Sequence, residues 1–185
     1  MIKHKVFISY HHEKDENYKI EFEKRFGNIF INKSVQDGEY DDDLCDEYIK
    51  RLIRQDKISD CSVVVVLIGA ETYKRKHVDW EIYAGISGKA GGRSGLIGVV
   101  LPTYYSSAEN SHLAQNKYEP TTIPPRLQDN KKTGYAELYT WEYICQVNQS
   151  NRYNIETVIE NAFKRKNDQN IKTDNSREQF KNNRA

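Results

Sequence analysis

The chain has 185 residues, with 28 Lys and Arg set against 27 Asp and Glu. That length suits one domain able to bury about 70% of the surface its unfolded form exposes. A formal charge of +1 excludes a global pull toward nucleic acid or an anionic membrane, and no apolar run approaches the ~18 residues that a membrane helix needs. Cys45, Cys61 and Cys145 are odd in number and show no close pairing, which fits a reducing cytosol better than a disulfide scaffold. The start, Met1-Ile2-Lys3-His4-Lys5, carries no secretory pattern. The expectation is a cytoplasmic protein without membrane or nucleic-acid partners.

Lys5-Val6-Phe7-Ile8-Ser9-Tyr10 reads as a short strand ending in polar residues, and His11–Asp15 as the loop after it. A helix is predicted from Asp15 to Phe30, with Ile20, Phe22, Phe26, Ile29 and Phe30 as buried positions and Asp15 or Asn17 as its cap. A weaker strand follows near Phe30–Val35, then an acidic loop over Gln36–Asp43. A second helix is expected over Leu44–Ile58.

The organising stretch is Ser62–Ile86. Ser62-Val63-Val64-Val65-Val66-Leu67-Ile68-Gly69 has no charge and is rich in β-branched residues. It reads as a strand buried on both faces, as at the centre of a parallel sheet. In the stretch after it, Val78, Ile82 and Ile86 recur at every fourth position, so they share one face of a helix against the sheet. Leu96–Leu101 is a further buried strand, stopped by Pro102. Residues 103–134 are polar, hold three prolines and show no periodicity, so a long loop or insertion is expected there. Tyr135–Trp141 is the last strand and Ile155–Lys166 the last helix. Residues 167–185 form a polar tail with helical tendency near Arg177–Phe180. The whole predicts one α/β domain over residues 1–166: a flavodoxin-like open parallel sheet of about five strands, order 2-1-3-4-5, flanked by helices.

Several nucleotide and metal sites are excluded by context. The cluster Gly85, Gly88, Gly91, Gly92 and Gly95 lies between a helix and the next strand, whereas a dinucleotide fingerprint lies between a strand and its helix. Glycine there is expected to end the helix. No P-loop pattern occurs. The strand ends carry Ser9-Tyr10 and Leu67-Ile68-Gly69, not the aspartates of a phospho-receiver. The histidines offer no ligand spacing, so no metal is expected. The triplet Lys74-Arg75-Lys76 reads as a solvated face, with a diphosphate contact as the functional alternative.

Glu81 is the candidate catalytic residue. It stands on the helix after the central strand and can overhang the sheet's carboxyl edge, where open α/β sheets bind ligands. His77 lies one turn earlier and Trp80 beside it. A carboxylate at such an edge can stabilise the positive charge that builds on a sugar ring as its glycosidic bond breaks, or hold a ribose hydroxyl.

These residues carry a family resemblance. Val6-Phe7-Ile8-Ser9-Tyr10 resembles the first box of TIR domains, and Arg75–Ile82 following Val66-Leu67-Ile68-Gly69 resembles their NAD-cleaving segment. The layout over Lys3 to about Leu101 is most similar to the TIR-like ThsB family of bacterial Thoeris anti-phage systems. The resemblance implies a TIR-like flavodoxin-type fold and cleavage of the nicotinamide–ribose bond of NAD+, which is a substrate here, with no cofactor. It implies a cyclic or conjugated ADP-ribose-derived messenger acting on an effector protein, a phage-derived trigger, and self-association into an active assembly. The family's catalytic glutamate carries over to Glu81. Phe7, Ser9, Tyr10, His11, Gly69, Ala70, Thr72, His77 and Trp80 would line the nicotinamide and ribose pocket. One departure is plain: many members hold tryptophan one turn before the glutamate, where this chain has His77. A TIR-type adaptor without turnover, or a receptor for a nucleotide messenger, stands as the alternative.

Overall fold

Six consecutive apolar residues, Val63–Ile68, are all fully buried and form the middle strand of a five-stranded parallel sheet. The computed structural model describes residues 3–34, 55–88 and 92–185. The expected acidic loop, most of the helix expected from Leu44, and Gly91 lie outside the described residues. In chain order the elements are β1 (Lys5–Ser9), α1 (Glu16–Phe26), β2 (Ile31–Asn32), α2 (residues 55–59), β3 (Val63–Ile68), α3 (Lys76–Ile86), β4 (Gly95–Val100), α4 (Pro102–Tyr105), α5 (Pro125–Lys132), β5 (Ala136–Thr140), α6 (Trp141–Cys145) and α7 (Asn154–Asn167). The sheet order is β2-β1-β3-β4-β5, every pairing parallel. This is the α/β, flavodoxin-like arrangement that the strand and helix alternation predicts.

The sheet is buried on both faces because its residues alternate between two cores. Val6, Ile8 and Tyr10 of the first strand region join Val63, Val65 and Leu67 against Phe22 and Phe26 of α1 and Ile155, Val158 and Ile159 of α7. Phe7 joins Val64, Val66 and Ile68 against Val78, Ile82 and Ile86 of α3 and Leu127 of α5. Burying one such side chain contributes ~1.5–3 kcal/mol, so β3 and the inner face of α3 fix the layer that carries Glu81. Gly88, just beyond α3, takes a φ of 69°, the left-handed conformation that lets glycine end a helix.

Four expectations are corrected. Helix α1 stops at Phe26 rather than Phe30, because Gly27 and Asn28 are poor helix formers; the chain turns there and returns Phe30 to the core. Ile20 is 49% exposed and faces away from the core. Residues 103–134 are not a plain loop, since they include α5 and the end of α4. Pro124-Pro125 starts α5, and only Leu127 among its residues is apolar, so no hydrophobic period marks it. The C-terminal residues form no helix near Arg177–Phe180.

Instead, residues 174–184 lie against α3 and α5. Arg126 is wholly buried, and its Nε and Nη2 donate to the Asp79 carboxylate at 2.9 and 3.3 Å. The same guanidinium donates to the carbonyls of Arg177 and Glu178 and to the Asn175 side chain. The Phe180 N–H donates to Asp79 Oδ2, and the Trp80 indole N–H to the Phe180 carbonyl. Asn130 bonds both ways with the Asp174 backbone. The segment is thus held largely through its main chain, with the Asn175, Arg177 and Asn183 side chains adding further bonds.

Removing one partner of a buried ion pair leaves the other charge without compensation. Arg126→Met should therefore cost ~3–5 kcal/mol in chemical denaturation and speed amide hydrogen exchange over 174–180. Replacing Asp79 and Arg126 together by apolar residues should cost less than Arg126→Met alone. A loss of under about 1 kcal/mol for Arg126→Met would contradict this anchoring.

Candidate active site

Strand alternation sets the first feature. Phe7 and Ser9 project toward α3, whereas Tyr10 projects to the α1 side. Phe7 is spent in the core, 2% exposed. Ser9, the last residue of β1, is fully buried, and its hydroxyl donates to Glu81 Oε2 at 2.6 Å. Glu81 is itself only 4% exposed. Helix α3, held down by Val78 and Ile82, therefore delivers its carboxylate to the carboxyl end of β1, beside the crevice between β1 and β3. That crevice is where the strand order reverses, the switch point at which open α/β sheets bind ligands. A carboxyl group so deeply buried needs hydrogen-bond partners, and Ser9 supplies one.

The turn between β3 and α3 is the second feature. The Gly69 N–H donates to Thr72 Oγ1, and Thr72 Oγ1 donates to Asp15 Oδ2 at 3.3 Å. Thr103, in the first turn after β4, donates to Asp15 Oδ1 at 3.1 Å. Asp15 occupies the residue before α1, but its side chain makes no cap hydrogen bond; it ties the loops after β1, β3 and β4 together instead. Gly69 permits this, because a Cβ there would sit 2.3 Å from either Asp15 oxygen. Burial pushes the Asp15 carboxyl above its ordinary range, against the opposing pull of the two threonine hydroxyls and Lys14. A cleft of about 370 Å³ opens here, lined by Lys14, Asp15, Ala70, Thr103, Ser106 and Ser107.

His11 links these features. It is buried, and the Arg75 Nε–H donates to its Nε2 at 2.6 Å. Arg75 is thereby engaged with His11 and, at 3.7 Å, with Glu71, and Lys76 lies over the Trp80 ring. The basic triplet is not a freely solvated face.

Of the residues expected in the site, the structure brings Ser9 to Glu81, and Gly69, Ala70 and Thr72 to Asp15. Tyr10 turns to the other face, where its hydroxyl donates to Glu16. His77 and Trp80 pack edge to face on each other, 5.3 Å between centroids, and Trp80 reaches the C-terminal segment. Asp15 and Thr103 are site neighbours that sequence reasoning passed over. The one available signal was position: both follow strands that end at the same sheet edge. Among the described residues, no cluster of three or more His, Cys, Asp or Glu could hold a metal ion, and no helix is long and apolar enough to cross a membrane.

A parallel five-stranded sheet of this order, flanked by helices, is a TIR-like fold. The family model described as "Thoeris protein ThsB, TIR-like domain" matches residues 7–106, more than half of the chain, and the chain belongs to that family. The match takes in Ser9, His11, Asp15, Glu81 and Thr103. No curated protein sequence matches the chain.

His11 gives the site a pH signature. Burial first, then the Arg75 guanidinium and Lys14, lower its pKa below the ordinary 6.5, while Glu13 and Glu71 oppose the shift. A depressed histidine pKa means that folding favours the neutral ring. The contribution is complete above pH 6.5 and is lost as pH falls through the lowered value. The thermal midpoint of the wild type should therefore drop more between pH 7 and pH 5 than that of His11→Gln, whose amide oxygen can still accept from Arg75. Equal drops in the two proteins would contradict the assignment.

Proposed function

We propose that this chain cleaves NAD+ at the nicotinamide–ribose bond and converts the ADP-ribose part into a signalling nucleotide in anti-phage defence. One observation carries the reading: the Glu81 carboxylate is buried at the carboxyl end of β1 and bonded to Ser9. Membership of the Thoeris ThsB TIR-like family supports the defence context.

In the step envisaged, the C–N bond breaks and its electron pair leaves with nicotinamide, which departs neutral. The ribose C1′ is left with cationic character, and the Glu81 carboxylate stabilises it. Ser9 orients that carboxylate. The nucleophile then bonds to C1′ and gives up its proton. Water gives ADP-ribose; another atom of the same ADP-ribose gives a cyclic product; a small conjugation partner gives an adduct. NAD+ is the substrate, and the step needs no further cofactor. The product is read by an effector protein, and turnover awaits self-association and a phage-derived trigger.

The test is free nicotinamide released from NAD+ by concentrated protein, with and without lysate from phage-infected cells. Glu81→Gln should lower the rate by about 100-fold or more. Ser9→Ala, which leaves the carboxylate but removes its orienting hydroxyl, should lower it by roughly tenfold. If wild type and Glu81→Gln behave alike in both conditions, the enzyme reading gives way to a TIR-type adaptor.

A further inference from the structure

The cleft beside Asp15 has no role in the step just described, yet it is built at a cost to the fold. Asp15 is 1% exposed. Its oxygens accept from Thr72 and Thr103, and among the described residues no cation is bonded to it. Burial holds its pKa above the ordinary 3.8. For a carboxyl shifted upward, the favourable contribution is complete below the unfolded value and is lost as pH rises through the folded one. Ionisation of the group therefore works against folding. The surroundings are nonetheless shaped to keep it, since Gly69 omits the side chain that would collide with it. Ionisable groups held at a loss in a cleft are a recognised mark of function.

We propose that this cleft is a second subsite for the dinucleotide, taking the sugar and phosphate of its non-nicotinamide half. A carboxylate has about four acceptor positions, and Thr72 and Thr103 occupy two of them. A sugar hydroxyl can donate to Asp15 in their company. Ser106, Ser107 and Lys14, the last held at the rim by Glu71 at 2.6 Å, suit the phosphate oxygens. The volume of about 370 Å³ falls within the ~300–1,000 Å³ usual for small-molecule sites. The location fits as well. Glu81 meets β1, while the cleft sits at the ends of β3 and β4. Neighbouring strands lie ~4.8 Å apart, so the two features stand about one to two strand spacings from each other, a span that a diphosphate link can cover. The proposal rests on the reading of NAD+ as substrate, and it assigns Asp15 to substrate binding, not to bond cleavage.

The test uses the full chain carrying Glu81→Gln, so that binding is read without turnover, with ADP-ribose and nicotinamide as separate probes in calorimetry. ADP-ribose should bind, and both Asp15→Asn and Ser106→Leu should weaken it by about tenfold or more. Nicotinamide binding should be the same in all three proteins. The thermal midpoint of Asp15→Asn at pH 7 should equal or exceed that of its parent, which a purely structural aspartate would not allow. If ADP-ribose binds equally well to the parent and both variants, or does not bind the parent, the proposal is overturned. Should Asp15→Asn fail to fold, Ser106→Leu at the exposed rim decides alone. Failure of the catalytic reading would look different: the wild type would release no nicotinamide, while Asp15→Asn would still weaken ADP-ribose binding.

Discussion

One hydrogen bond organises the functional end of this molecule: the Ser9 hydroxyl donating to Glu81 at 2.6 Å. A carboxyl group only 4% exposed needs hydrogen-bond partners in place of water. The serine is placed to help, at the end of a strand where its side chain projects to the α3 face. The bond ties the helix after β3 to the strand beside it and sets the carboxylate over the point where strand order reverses. Shifting β1 by one residue would aim Ser9 at α1 and break this bond.

Helix α3 is constrained from both sides. Val78, Ile82 and Ile86 hold its inner face to the sheet. On its outer flank, Asp79, Trp80 and Tyr83 meet the C-terminal segment through Arg126, the Phe180 backbone and Asn175. The segment also reaches the start of the helix, where the Arg184 N–H donates to the Lys74 carbonyl and Asn183 accepts from the Lys76 N–H. A side chain on a helix packed on two sides keeps a defined geometry, which is what the proposed charge stabilisation by Glu81 requires.

The sheet was legible because its signal is local. An unbroken valine run, a glycine just beyond α1 and α3 and a four-residue apolar spacing on α3 each follow from packing that the sequence must respect. The placement of Glu81 on the helix over the sheet's carboxyl edge was legible for the same reason, since a helix following a central strand has one edge it can reach. Asp15 was not, because an aspartate just ahead of a helix has an ordinary explanation as a cap. Its actual partners, Thr72 and Thr103, lie 57 and 88 residues away in sequence. Trp80 illustrates the converse. Adjacency to Glu81 along the chain suggested a shared pocket, but successive residues on a helix point about 100° apart, and the indole turned to the C-terminal segment. That polar segment gave no pattern because Arg126, Asp79 and Asn130 grip its backbone, and backbone recognition leaves no trace in side-chain composition.

The account stands on where a dinucleotide lies along the carboxyl edge of the sheet. A crystal structure of the full chain with a non-hydrolysable NAD+ analogue would test it most directly. The expected result has the anomeric carbon of the nicotinamide ribose against the Glu81 carboxylate beside β1. An analogue bound elsewhere, with Glu81 and Ser9 still sealed together and out of its reach, would contradict the account.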